Sequence, residues 1–136
     1  SIKQRIKTHQ NNGVLITANL TAILPPIHFS AGEIQTVLDE LISNAQHAMQ
    51  HCTTKEITFE TSVTSNAVLL EVRDTGTGIA SEQWQEIFKR KYTTKEQGGL
   101  GLYMLKQIME RYGGDIRVKE SSPTGTTFIL HFRRAE

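Results

Sequence analysis

Two glycine-rich turns constrain this chain more than any other feature. Asp74-Thr75-Gly76-Thr77-Gly78-Ile79 closes an apolar alternating run, and Gly98-Gly99-Leu100-Gly101-Leu102 opens a helical pattern further on. A strand must end at the first turn and a helix must begin at the second. A carboxylate at a strand end can accept a hydrogen bond from an exocyclic amine, and neighbouring glycines let backbone approach a planar base. The free N–H groups and positive dipole end of the following helix suit phosphate oxygens. Alone, either turn is ordinary, because Asp and Gly are what turns require. Together they point to a nucleotide pocket.

A third element lies upstream. Ile34, Val37, Leu38, Leu41, Ile42, Ala45, Ala48 and Met49 recur at helical spacing, which predicts a helix over 31–50 with one apolar face on a core. Ser30 followed by Glu33 predicts a reciprocal capping box at its start. Glu40, Asn44 and His47 fall on one narrow polar stripe beside the apolar face. A carboxylate, an amide and an imidazole there could orient phosphate oxygens and a divalent cation, since Mg²⁺ takes few protein ligands plus substrate phosphates. Taken singly, Asn44 and His47 are as well explained as surface residues. Their alignment with the two turns is what gives them weight.

Beyond the helix, Ile57, Phe59, Thr61 and Val63 alternate with polar neighbours, as do Val68, Leu70 and Val72, and Thr64-Ser65-Asn66 joins the runs. This predicts a hairpin. Ile116 and Val118, a turn at Thr124-Gly125, then Phe128, Leu130 and Phe132 predict a second. Residues 14–20 supply another strand, and 101–112 a helix with Leu102, Leu105, Ile108, Met109 and Tyr112 on one side, stopped by Gly113-Gly114. The expected fold is an α/β two-layer sandwich, helices on one face of a mostly antiparallel sheet.

At 136 residues the chain is long enough for one core and too short for two typical domains. Its net charge is +1 and no basic stripe is interleaved with aromatics, which argues against a nucleic-acid partner. No apolar run approaches a membrane span and no signal-peptide pattern opens the chain. Cys52, the single cysteine, excludes an internal disulfide and fits a reducing cytoplasm. The chain opens at Ser1 without a methionine, so we expect a piece of a larger protein, one that could be membrane-anchored elsewhere. Residues 1–13, with turn formers at Asn11-Asn12-Gly13, are expected to be a linker or the tail of an upstream region, and 14–136 the domain.

In order, Glu40-x-x-x-Asn44, Asp74-x-Gly76-x-Gly78, Gly99-x-Gly101 and Gly125-Thr126-Thr127 resemble the ATPase superfamily of gyrase, Hsp90, histidine kinases and MutL. Within it the chain is most similar to the catalytic and ATP-binding domain of bacterial sensor histidine kinases. Residues 39–48 look like the N box of that family, and Ile87-Phe88 through Tyr92-Thr93-Thr94-Lys95 like its F box and threonine-lysine run. The resemblance implies a Bergerat-type mixed sheet, ATP and Mg²⁺ as cofactors, and transfer of the terminal phosphate to a histidine on an upstream domain.

It also implies roles for residues. Asp74 would read the adenine amine with Thr126 assisting through water, and Asn44 would hold Mg²⁺. Gly76, Gly78 and Ile79 would line the base, while Gly99, Leu100, Gly101 and Leu102 would cradle the phosphates. Lys95 would reach the terminal phosphate from a lid anchored by Phe88. The implied partners are an upstream dimerisation and phosphoacceptor domain, a response regulator, and a second copy in a full-length homodimer. Two residues depart from the kinase pattern. Glu40 stands where many of these kinases carry Asn and resembles the water-activating glutamate of the ATPase branches, which keeps a serine protein kinase or conformational ATPase open. His47 replaces a phosphate-contacting Lys or Arg, a weaker partner when neutral.

Overall fold

The computed structural model describes residues 3–11, 13–90 and 101–135. Six strands form one sheet: β1 (Lys3–Asn11), β2 (Val14–Thr21), β3 (Glu56–Val63), β4 (Ala67–Asp74), β5 (Asp115–Ser122) and β6 (Gly125–Arg133), in the order β1-β2-β3-β4-β6-β5. Every neighbouring pair is antiparallel except β2 and β3, which run parallel. Parallel neighbours require a long crossover. Here helix α1 (Ala31–Ala48) provides it, and α2 (Gly101–Arg111) lies between β4 and β5 in sequence.

Strand register explains where the core sits. Phe59 pairs with Val72, Leu70 with Leu130, Val72 with Phe128, and Ile116 with Leu130, and directly paired residues share a face. That face is apolar, and α1 covers it with Val37, Leu41 and Ala45, α2 with Leu105, Ile108 and Met109, all in one cluster. The expected two-layer architecture is the observed one. Leu41, Leu105 and Met109 are almost wholly removed from water, and truncating any of them to Ala should cost about 2–5 kcal/mol.

The ends of the helices differ from expectation in one instructive way. Ser30 is the N-cap of α1, but its side chain makes no capping bond. Glu33 turns away, accepting from the Tyr112 hydroxyl and, at 2.8 Å, from Arg111 Nη1. The capping box loses to a pair of tertiary donors at the C-terminal end of α2, Arg111 and Tyr112. Helix α2 itself stops as expected: Gly113 has φ +77, while the Gly114 N–H reaches the Met109 carbonyl and the Gly113 N–H that of Glu110. This is the double closure of a Schellman motif.

Residues 3–11, the stretch expected to lead into the domain, have regular backbone structure. They form the edge strand β1, with Asn11 opposite Val14. Lys, Gln, Arg, Thr and His dominate this stretch, so it carries no alternating apolar signal, and backbone pairing places it.

Candidate functional site

Asp74 is the last residue of β4, and the register that points Phe59, Leu70 and Val72 inward carries it inward too. Its partners across the sheet are Ile57 and Thr126. Only 4% of it is exposed. An inward carboxylate must be hydrogen-bonded, and Oδ1 accepts from the N–H of Gly76 at 2.8 Å and of Thr126 at 3.3 Å. Burial pushes the Asp74 carboxyl above the usual range, and these two bonds partly oppose it. Among the described residues no partner is seen for Oδ2, which leaves that oxygen to accept from a ligand.

The glycines after Asp74 are where close approach demands them. A β-carbon on Gly76 would lie 2.8 Å from Ala48 Cβ and 2.9 Å from the Ala48 carbonyl oxygen. Gly78 has φ +87, and a β-carbon there would meet the Ser122 carbonyl oxygen at 2.0 Å. The turn is thus clamped between the end of α1 and the end of β5.

Glu40, Asn44 and His47 lie half-buried along one side of α1. Asn44 and His47 line a cavity of about 400 Å³ together with Gly78, Ile79 and Leu102. Five residues expected at the site are therefore brought around one space by three separate elements. Glu40 is directed toward the start of α2, where a β-carbon on Gly101 would come 2.5 Å from Oε1. Asp74, Gly76 and Thr126 do not line the cavity. They sit beside it, connected by Gly76 packing on Ala48 and by a hydrogen-bonded chain through Ser121. Lys95, Gly99 and Leu100 lie outside the described residues.

Ser121 was not expected at the site. Its Oγ accepts from the Ile79 N–H at 2.7 Å and lies 2.8 Å from Thr126 Oγ1. Its only sequence signal is a hydroxyl residue just before the Gly125 turn, which turn composition explains equally well.

Residues 30–136 match the family described as histidine kinase-, DNA gyrase B- and HSP90-like ATPase. The chain belongs to this ATPase family. It is 38% identical over 103 residues to the C4-dicarboxylate transport sensor protein DctB of Rhizobium meliloti (strain 1021), covering 75% of this chain and 16% of that protein. It is 36% identical over 115 residues to the sensor protein SrrB of Staphylococcus aureus (strain NCTC 8325 / PS 47), covering 79% and 19%. The chain thus spans less than a fifth of either relative. Among solved structures, the catalytic domain of histidine kinase ThkA in a nucleotide-free form superposes with a TM-score of 0.67 at 28% identity, covering 78% of this chain and 69% of that one. Full-length ShkA in complex with AMPPNP gives 0.73 at 25% identity, covering 90% and 26%.

In this ATPase domain the segment after Ile79 forms two 3₁₀ turns, Ser81–Gln83 and Glu86–Phe88. Trp84 Nε1 donates to the Ile79 carbonyl at 2.9 Å. Ile87 and Phe88 are buried, and the Phe88 ring meets Phe128 edge-on at 6.2 Å between centroids, with Lys106 Nζ 5.4 Å from its centre. Phe88 is therefore anchored in the core, and the rest of the expected lid lies outside the described residues. Among the described residues no helix is long and apolar enough to cross a membrane.

Proposed function

We propose that this domain is the ATP-binding catalytic part of a two-component sensor histidine kinase, passing the terminal phosphate of ATP to a histidine on an upstream domain. The observation that carries the reading is Asp74. It is a buried carboxylate on the inner face of the sheet, with one oxygen held by two backbone N–H groups and the other available beside the glycine turn. Such an oxygen accepts from the adenine amine and opposes the carbonyl that guanine presents at the same position.

The donor set suits Mg²⁺. Asn44 offers one neutral amide oxygen on the cavity wall, and no cluster of three or more His, Cys, Asp or Glu that could hold a metal occurs among the described residues. A cation held there would take its remaining positions from phosphates and water, the habit of Mg²⁺. It would neutralise charge on the phosphate oxygens. This chain's own part is positioning: Asp74 orients the base and Gly101 and Leu102 receive the phosphates at the start of α2, a role the family resemblance extends to Lys95, Gly99 and Leu100. His47 faces the same space as a secondary phosphate contact.

In the whole protein we place residues 14–136 in the catalytic domain and the preceding segment on the path from the dimerisation and phosphoacceptor region. The partners are that region, a response regulator and a second copy of the full-length chain, in the cytoplasm and without nucleic acid. Glu40 favours a second reading, a serine protein kinase or conformational ATPase, because its carboxylate lies beside the start of α2 where it could take a proton.

The test is to incubate the domain with its native upstream region and labelled ATP. An acid-labile phosphohistidine, lost in Asn44→Ala while that variant unfolds near the wild-type temperature, is expected. An acid-stable phosphoserine, or phosphate released only to water, would overturn the reading.

A further inference from the structure

Ser121 joins two parts of the site that are far apart in sequence. Its Oγ accepts from the Ile79 N–H at 2.7 Å, on the cavity wall, and lies 2.8 Å from the Thr126 hydroxyl, whose own N–H is bonded to Asp74 Oδ1. A serine hydroxyl has one hydrogen and two lone pairs. The backbone N–H of Ile79 can only donate, so it occupies one lone pair. The 2.8 Å bond to Thr126 Oγ1 can run in either direction, but were Thr126 the donor, the Ser121 hydrogen would be left with only the Gly125 carbonyl, at 3.4 Å. An O–H···O bond is near its best length at the first distance and beyond the usual range at the second.

We infer that Ser121 is a positioning residue for base selection: it donates to Thr126 Oγ1 and so leaves the Thr126 hydroxyl hydrogen to be donated to the nucleotide. The inference rests on the reading of Asp74 as the acceptor for the adenine amine. Asp74 then presents an acceptor and Thr126, beside it on the same face, a donor. Adenine offers the complementary pair, a donor at its amine and an acceptor at ring nitrogen N1. Guanine reverses both. Without Ser121 the Thr126 hydroxyl is free to rotate and can accept as readily as donate. Thr126 is 4% exposed, so few other groups compete to orient it.

The test compares equilibrium binding of ATP and of the ATP analogue with C–H in place of N1, using wild type, Ser121→Ala and Ser121→Thr. Wild type should prefer ATP about tenfold, the size of one good hydrogen bond. Ser121→Ala should narrow the preference to about twofold, and Ser121→Thr, which keeps the hydroxyl, should restore most of it. Should Ser121→Ala not fold, Ser121→Cys reads the same ratio through a weaker donor. An unchanged ratio, or parallel loss of affinity for both nucleotides as from a merely structural role, would overturn the inference. Wild type failing to bind ATP would overturn the kinase reading as well, whereas tight ATP binding with an unaltered ratio overturns this inference alone.

Discussion

Glu40 Oε1 lies so close to Gly101 that a β-carbon at residue 101 would come within 2.5 Å of it. The polar stripe of α1 and the start of α2, 61 positions apart in the chain, are therefore fitted to one another by a single missing methyl group. Gly78 is confined differently, by backbone: its φ is +87 and the nearest obstacle to a β-carbon is the Ser122 carbonyl oxygen at 2.0 Å.

The two glycines should respond unlike each other. Gly101→Ala meets the end of a side chain that can rotate away, so it should cost under about 1 kcal/mol of stability while displacing Glu40. Gly78→Ala combines a strained φ with a backbone collision and should cost about 2–4 kcal/mol. Denaturant unfolding of both variants measures the difference, and equal losses would mean that the Glu40 side chain cannot yield.

Asp74→Asn should gain stability at neutral pH and lose its preference for adenine. The raised pKa of Asp74 comes from burial, so its neutral form is favoured by folding. The associated stability is present below the unfolded carboxylate value and is lost as pH rises through the folded one. Asparagine carries no charge, so the variant should be the more stable protein at pH 7, with its advantage shrinking toward about pH 4. Its amide oxygen can keep the bonds from Gly76 and Thr126 while an NH₂ replaces Oδ2. ATP affinity should then fall at least about tenfold relative to GTP. Calorimetry across pH and nucleotide titration check the two halves separately.

Tyr112→Phe should remove a pH-dependent link between the two helices. The Tyr112 hydroxyl, with Arg111 beside it, holds the Glu33 carboxyl below its usual range, while the bond to Glu33 holds Tyr112 above its own. The Glu33 contribution is present above the unfolded carboxylate pKa and lost as pH falls through the lowered folded value. The Tyr112 contribution is present at neutral pH and lost as pH rises through the raised folded value. The variant should therefore melt below wild type at pH 7, with the gap closing below about pH 4 and above about pH 10. Phenylalanine keeps the ring that packs on Phe29, 4.5 Å between ring centroids, so a gap that stayed constant with pH would show that titration of the Glu33–Tyr112 pair does not account for the change.

Glu40→Gln separates the two readings of the chemistry. A histidine acceptor is already nucleophilic near neutral pH, so in a histidine kinase the variant should lose only a modest fraction of its single-turnover rate. Where water or a serine hydroxyl must give up a proton, loss of a general base costs about 10²–10⁴-fold. The rate is to be measured with the acceptor region present and nucleotide affinity determined independently. A loss in the larger range at unchanged affinity would move the assignment to the ATPase or serine kinase branch.

The sequence by itself determined most of the elements and which residues the candidate site would be built from. Helical spacing from Ile34 to Met49 and alternation around Phe59, Leu70 and Phe128 are local consequences of side-chain direction, so both helices and most strands were legible. Asp74, Gly76 and Gly78 were legible because few residues suit a buried strand-end acceptor and a tight turn. Strand β1 was not, since polar residues at a sheet edge carry no alternation and are placed by backbone pairing with β2. Tertiary structure alone decided where equivalent local options went. Glu33 could have capped its own helix but bonds Tyr112, 79 positions away, because a neighbouring guanidinium and phenol together outcompete one backbone N–H. Ser121 meets Thr126 within its own hairpin and also Ile79, 42 positions away. Such partners are set by which strands the fold makes adjacent, and a hydroxyl is identical in sequence whether it bonds its neighbour or closes a binding site.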